Sequence, residues 1–204
     1  MTKPENSYRS FNKAFGIGLS RTGTMSINKV FENCGLKSQH FLGVDINDDF
    51  WTTMDDLDAA CDTPIPYLFE ELDQRYEGSK FILTVRDLDS WLKSMRWMLT
   101  DGAVLWRYGI AMDAYHDKFY GTHSYNESKL IDHWNEYHQR VRDYFAGKDQ
   151  LLEIKTNDLS TAAVAQFLQI DEFVDESPLR NKRKKPKFKQ VLKFKFDRFL
   201  NRIP

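Results

Sequence analysis

The sequence predicts an α/β fold, a three-layer sandwich of helices around a parallel sheet. Three observations carry that reading. A short apolar run, Phe15 to Leu19, passes through a small polar turn into an apolar helical period. A second run, Lys80 to Val85, is continuously apolar rather than alternating, as in a parallel strand buried on both faces. Around these, strand-like and helix-like segments alternate, the order that builds a parallel sheet.

The elements follow in order. Ile27, Val30, Phe31 and Cys34 give the inner face of the first helix, which Gly35 closes. Leu36 to Phe41 reads as the second strand, ending at His40. Asn47, Asp48 and Asp49 cap a helix with Phe50, Trp51, Met54 and Leu57 on one face. Pro64 and Pro66 open the next, with Leu68, Phe69, Leu72 and Tyr76 inside and Gly78 ending it. The Lys80 strand leads through Asp87, Asp89 and Ser90 into a helix faced by Trp91, Leu92, Met95 and Leu99. Met98 to Tyr125 is rich in aromatics and shows no clear period. A long helix, Glu127 to Phe145, turns Ile131, Trp134, His138, Val141 and Phe145 inward. Leu151 to Ile154 is a short strand, and Ser160 caps a last helix through Leu168.

Composition bounds the rest. A chain of 204 residues with 41% hydrophobic content is ample for one core. The net charge of −1 hides a division: residues 180–204 hold eleven of the 29 basic side chains and one of the 30 acidic ones. That leaves 18 basic and 29 acidic side chains in 1–179, so an acidic domain over 1–179 and a basic tail over 180–204 are expected. The acidic domain would repel nucleic acid, and none is expected as a partner. Met1 to Ser10 lacks an apolar signal region, and no apolar run is long enough to span a membrane. Cys34 and Cys61 each sit among apolar helical positions and read as buried thiols, which points to a reducing, cytoplasmic location. No Cys/His cluster has metal-ligand spacing, and no metal is expected.

Two segments carry chemistry. Gly18 to Ser26 is a glycine turn at the start of a helix, a geometry that aims backbone N–H groups and the positive helix end at one spot. It nearly fits the ATP-binding pattern G-x-x-x-x-G-K-[ST] but has Thr24 where the lysine would stand, and Arg21 is the nearby cation. The loop alone suits a phosphate. It also leaves open a kinase-like P-loop enzyme for small molecules, or a non-catalytic nucleotide-binding module of the same fold. The second segment ends the Lys80 strand at Arg86, at the carboxyl edge where open α/β sheets bind ligands, with Ser94 eight residues on in the next helix. A guanidinium and a hydroxyl there suit a second phosphate.

On these residues the chain resembles the P-loop sulfotransferases, which use 3′-phosphoadenosine-5′-phosphosulfate (PAPS) and leave 3′-phosphoadenosine-5′-phosphate (PAP). Arg21-Thr22-Gly23-Thr24-Met25 matches the family's [KR]-[ST]-G-T-[TS] except at Met25, and Arg86 and Ser94 reproduce the spacing of its 3′-phosphate motif. The likeness is to the branch with RTGT in the first loop and FILTVRD-x-x-SW in the second. The resemblance implies a P-loop nucleotide-binding type of α/β fold and transfer of the sulfuryl group to a hydroxyl or amine. It implies that Ser20, Arg21, Thr22, Gly23, Thr24, Met25 and Ser26 cradle the phosphosulfate, Arg21 also serving catalysis. Arg86 and Ser94 would hold the 3′-phosphate. No Gly-x-x-Gly-Asp-Trp segment stands near the C-terminus, and Asn181, Lys182 and Arg183 lie where the family's last 3′-phosphate contacts return.

The transfer needs a base for the acceptor. The family's cytosolic members place a catalytic His two residues before a proline, and Asp62 has that relation to Pro64. A carboxylate suits the task, particularly if partial burial raises its pKa; otherwise Asp62 only caps the Pro64 helix. His40, at the end of the second strand, is the rival, with His116 and His123 behind it. The aromatic segment from Met98 to Tyr125 is either the acceptor-binding part and lid or a secondary core, and the acceptor is a small molecule, carbohydrate or lipid. Beyond Lys187, Phe188, Val191, Leu192, Phe199, Leu200 and Ile203 recur at helical spacing among lysines. That pattern fits a basic helix in peripheral contact with an anionic membrane, or a docked terminal helix with a solvated face.

Overall fold

The structure is a computed structural model and describes residues 9–106, 108–176 and 185–200. In chain order its elements are β1 (Ala14–Gly16), α1 (Thr24–Asn33), β2 (Ser38–His40), α2 (Asp48–Asp56), β3 (Ala59–Cys61), α3 (Phe69–Arg75), β4 (Lys80–Val85), α4 (Leu88–Trp97), α5 (Ala103–Leu105), α6 (Ile110–Tyr120), α7 (Glu127–Tyr144), β5 (Leu151–Lys155), α8 (Thr161–Leu168) and α9 (Phe188–Leu200). Residues up to Arg86 and from Tyr144 to 176 form one unit; Asp87–Asp143 and 185–200 form another.

The first unit is the predicted parallel α/β sandwich. Its strands are all parallel, in the order β2-β3-β1-β4-β5. The two-residue period of the strands divides the core into two faces. On one, Ala14, Ala59, Cys61 and Ile82 meet Ile27, Val30 and Phe31 of α1 and Val164, Ala165 and Leu168 of α8. On the other, Phe15 and Phe81 pack at 5.4 Å, with Tyr76 against Phe15 and Phe145 against Phe81 and Phe69. Asn47 and Ser160 cap α2 and α8 through their side chains, as the sequence indicated.

Two expectations are corrected. Ala59–Cys61 is a strand, so Cys61 is a sheet residue rather than a helical one; Cys34 and Cys61 are both buried, free thiols. The strand pairs with both β1 and β2 and so occupies a place between them that the sequence reading left empty. The helix opened by Pro64 and Pro66 begins as a 3₁₀ turn, Ile65–Leu68, before α3.

The second unit is helical and aromatic. The segment read as aperiodic holds a π turn (Met98–Gly102), α5 and α6. Tyr115, His116, Phe119 and Tyr120 of α6 are buried, and Phe119 and Tyr120 pack on His133 of α7 at 4.8 and 4.9 Å. The inward face of α7 is carried by Leu130, Tyr137, His138 and Val141, with Ile131 and Trp134 half-buried beside it. No helix of the described residues is long and apolar enough to cross a membrane.

His133 gives the second unit a pH dependence. Its Nε2 is buried without a hydrogen-bond partner among the described residues, and burial, followed by the charges of His138 and Arg140, pushes its pKa from 6.5 down to about 4. The unfolded chain therefore binds the proton more readily between those values. The contribution is complete above pH 6.5 and is lost as pH falls toward 4, by up to about 3 kcal/mol. Urea unfolding at about pH 7 and about pH 4.5 should show this loss in the wild type and its absence in His133→Phe. Equal pH slopes for the two proteins would remove His133 from the account.

Candidate active site

The sheet register brings four loops to one edge. Gly16 of β1 stands level with Cys61 of β3 and Ile82 of β4, and His40 of β2 stands level with Cys61. The glycine loop after β1, His40, and Asp62 after β3 thus emerge together, and β4 runs on to deliver Arg86 above them. Three of the four non-glycine residues with left-handed backbone among the described residues lie here: Arg21 (φ 72°), Phe41 (φ 60°) and Asp62 (φ 67°). Such conformations cost on the order of 1–3 kcal/mol each and persist where surrounding contacts hold them.

The loop is held from behind by threonines. Thr22 is buried; its hydroxyl donates to the Leu19 carbonyl at 2.7 Å and lies 2.9 Å from Thr84 Oγ1. Thr156, after β5, donates to the Thr22 carbonyl at 2.7 Å. Gly18 lets this happen, because a Cβ there would fall 2.0 Å from Thr84 Oγ1. Thr22 therefore shapes the loop with its side chain, and Thr84 and Thr156 join it as supports that motif reading missed. Gly23 (φ 101°) turns the chain into α1, and its carbonyl accepts from the Ser26 N–H at 2.8 Å in the first turn. Ser20 is buried, Arg21, Ser26 and Arg86 are half-buried, and Met25 is exposed on the first turn of α1. The Arg86 guanidinium donates to the Arg21 carbonyl at 3.1 Å, tying the end of β4 to the loop. This is a donor set for anions: two guanidinium groups, hydroxyls and a helix N-terminus.

Beside it, the two rival bases are partners. His40 Nε2 lies 2.9 Å from Asp62 Oδ2 and 3.0 Å from Thr24 Oγ1, and the Thr24 hydroxyl donates to the same carboxylate oxygen at 3.3 Å. Facing a carboxylate, Nε2 is the donor and Asp62 Oδ2 the acceptor. Asp62 is not a side-chain cap: its carbonyl accepts from the Ile65 N–H at 2.7 Å, and the 3₁₀ turn has no side-chain cap. The expected rise in its pKa is also corrected. Burial does push it up, but the His40 hydrogen bond and charge, the Thr63 backbone N–H and the Thr24 hydroxyl outweigh burial and hold the carboxyl below its ordinary 3.8. Cys61 donates its thiol hydrogen to the Thr24 carbonyl at 3.2 Å; burial and the Asp62 charge keep that thiol protonated.

The remaining candidates belong to the second unit or fall outside the described residues. Ser94 is fully buried in α4 of the second unit, and so is His116, among aromatic rings. His123 faces Asp117 at 2.8 Å at that unit's surface. Asn181, Lys182 and Arg183 fall outside the described residues.

Comparison with known proteins agrees with this architecture. The chain is 27% identical to the Ava biosynthesis cluster protein M of Aspergillus versicolor over 184 aligned positions, covering 69% of this chain and 70% of that one. A sulfotransferase crystal structure from Alicyclobacillus acidocaldarius shares the fold, with a TM-score of 0.55 at 14% identity over 84% of this chain and 86% of that one. Residues 44–185, more than two thirds of the chain, match the sulfotransferase domain family; the span takes in Asp62, Arg86 and Ser94 and starts after the glycine loop and His40. The chain belongs to the sulfotransferase domain family.

Proposed function

We propose that this protein transfers the sulfuryl group of PAPS, in line, to a hydroxyl or amine of a small acceptor. The observation that carries the reading is the meeting of an anion-binding loop, tied to Arg86, with the Asp62–His40 pair at one edge of the sheet. PAPS, when bound, supplies the activated sulfuryl group and a stable phosphate leaving group. The loop N–H groups and Arg21 would hold its 5′ end and oppose the charge that grows on the leaving oxygen. Arg86 and Ser94 would hold its 3′-phosphate. The acceptor's proton passes to the Asp62–His40 pair, in which the carboxylate orients the imidazole and the imidazole keeps the carboxylate ionised. Thr24, where ATP-binding loops carry lysine, favours this nucleotide over ATP. The Aspergillus relative is named for a biosynthesis cluster, which favours a small-molecule acceptor.

Thermal melting tests the donor. At about a hundred times its dissociation constant, PAP should stabilise the fold by about 2.7 kcal/mol, and ATP far less. Arg86→Ala and Ser94→Ala should each reduce the PAP shift, since each removes a donor to a charged phosphate. Equal shifts with ATP and PAP, or none with PAP, would end this reading. Sulfate transfer across a broad acceptor panel then identifies the second substrate.

A further inference from the structure

Helix α9 has two apolar faces, and one of them is open. Within the second unit α9 packs on α5. Its half-buried positions, Val191, Phe194 and Asp197, recur every three residues along one side. At about 100° per residue, Phe188, Leu192, Phe196 and Leu200 run along the opposite side, and they are 75, 52, 61 and 50% exposed. A helix that is merely docked would carry polar residues there. Lys195 falls at one margin of this stripe, Lys189 and Lys193 at the other, and Lys185 and Lys187 precede the helix. Trp106, one residue past α5, and Ile110 are further exposed apolar side chains of the same unit.

A contiguous apolar stripe of this kind marks a contact surface. Its charge frame selects the contact. We propose that α9 is an interfacial helix that lies on an anionic lipid surface. Phe188, Leu192, Phe196 and Leu200 enter the boundary between headgroups and acyl chains, and the flanking lysines meet lipid phosphates. A second copy of the chain is disfavoured as occupant, since pairing two such stripes would set lysine margins against each other. The half-buried face stays docked on the protein, so the docked-helix and membrane readings of the tail describe two sides of one helix.

Co-sedimentation of the full chain with lipid vesicles tests this. The protein should pellet with vesicles of phosphatidylcholine and phosphatidylserine at low salt, and much less at high salt or with phosphatidylcholine alone. Replacing Phe188, Leu192, Phe196 and Leu200 together by Ser should cut partitioning at least about tenfold. Lys189→Glu, Lys193→Glu and Lys195→Glu together should cut it by about 10² or more. Both variants alter exposed positions and should melt as the wild type does; if the Ser variant unfolds, the Glu variant decides. A wild-type protein that stays in the supernatant with anionic vesicles at low salt overturns the proposal. So does a dimer in gel filtration that the Ser variant converts to monomer while vesicles remain unbound.

Discussion

Asp62→Asn should cut turnover by about 10²-fold or more while leaving the melting shift with PAP intact, the signature of a lost general base. Asparagine is the informative replacement. It keeps the size of the side chain and tolerates the left-handed backbone at this position (φ 67°), so the fold is preserved while the charge is removed. His40→Gln should give a loss of similar size, because the imidazole and the carboxylate share a hydrogen bond of 2.9 Å and act as a unit. The double variant should then be no slower than the slower single one by more than about threefold, since groups in one network are not additive. If Asp62→Asn keeps wild-type turnover and His40→Gln loses it, the proton goes to the imidazole and the carboxylate only positions it. If both keep it, the pair is not the base.

The largest effect on stability is expected at Gly18. A Cβ there would sit 2.0 Å from Thr84 Oγ1, 2.5 Å from Thr22 Oγ1 and 2.8 Å from the Thr84 carbonyl oxygen. The hydroxyls belong to short, buried side chains bonded to each other, and the carbonyl is backbone, so nothing can swing aside. Gly18→Ala must break the Thr22–Thr84 contact and lift the loop from β4. Overpacking and the loss of a buried hydrogen bond together cost on the order of 3–5 kcal/mol. For a chain of this length that lowers the melting temperature by roughly 10 °C. A loss under about 1 kcal/mol would show that the loop does not rest on Thr84 as described.

Most of the sandwich was readable before the structure, for definite reasons. The β1–loop–α1 unit announces itself because a glycine turn interrupts an apolar strand and an apolar helical period. β4 is readable because burial on both faces makes it continuously apolar. β3 was hidden because Ala59, Ala60 and Cys61 include no β-branched or aromatic side chain and the run is only three residues long. That omission concealed the chemistry. Without β3 there is no reason to place residue 62 beside residue 40, so Asp62 and His40 read as competitors when adjacent strand ends make them a pair. Helix α6 was missed because aromatics and histidines leave little contrast between its sides. The open face of α9 is visible only once Val191 and Phe194 are seen to be half-buried on the other side.

The left-handed residues Arg21, Phe41 and Asp62 set a limit on engineering this protein for robustness. Each is a position where glycine would suit the backbone better, so a search for stabilising substitutions would be drawn to them, most of all to Phe41, which is bulky and exposed there. Relaxing them would lengthen the protein's life on the bench, yet the same turns fix where a guanidinium, an imidazole and a carboxylate meet. A more durable enzyme is better sought on the far side of the molecule's chemistry, in loops and surface helices, with these three tight turns left as they are.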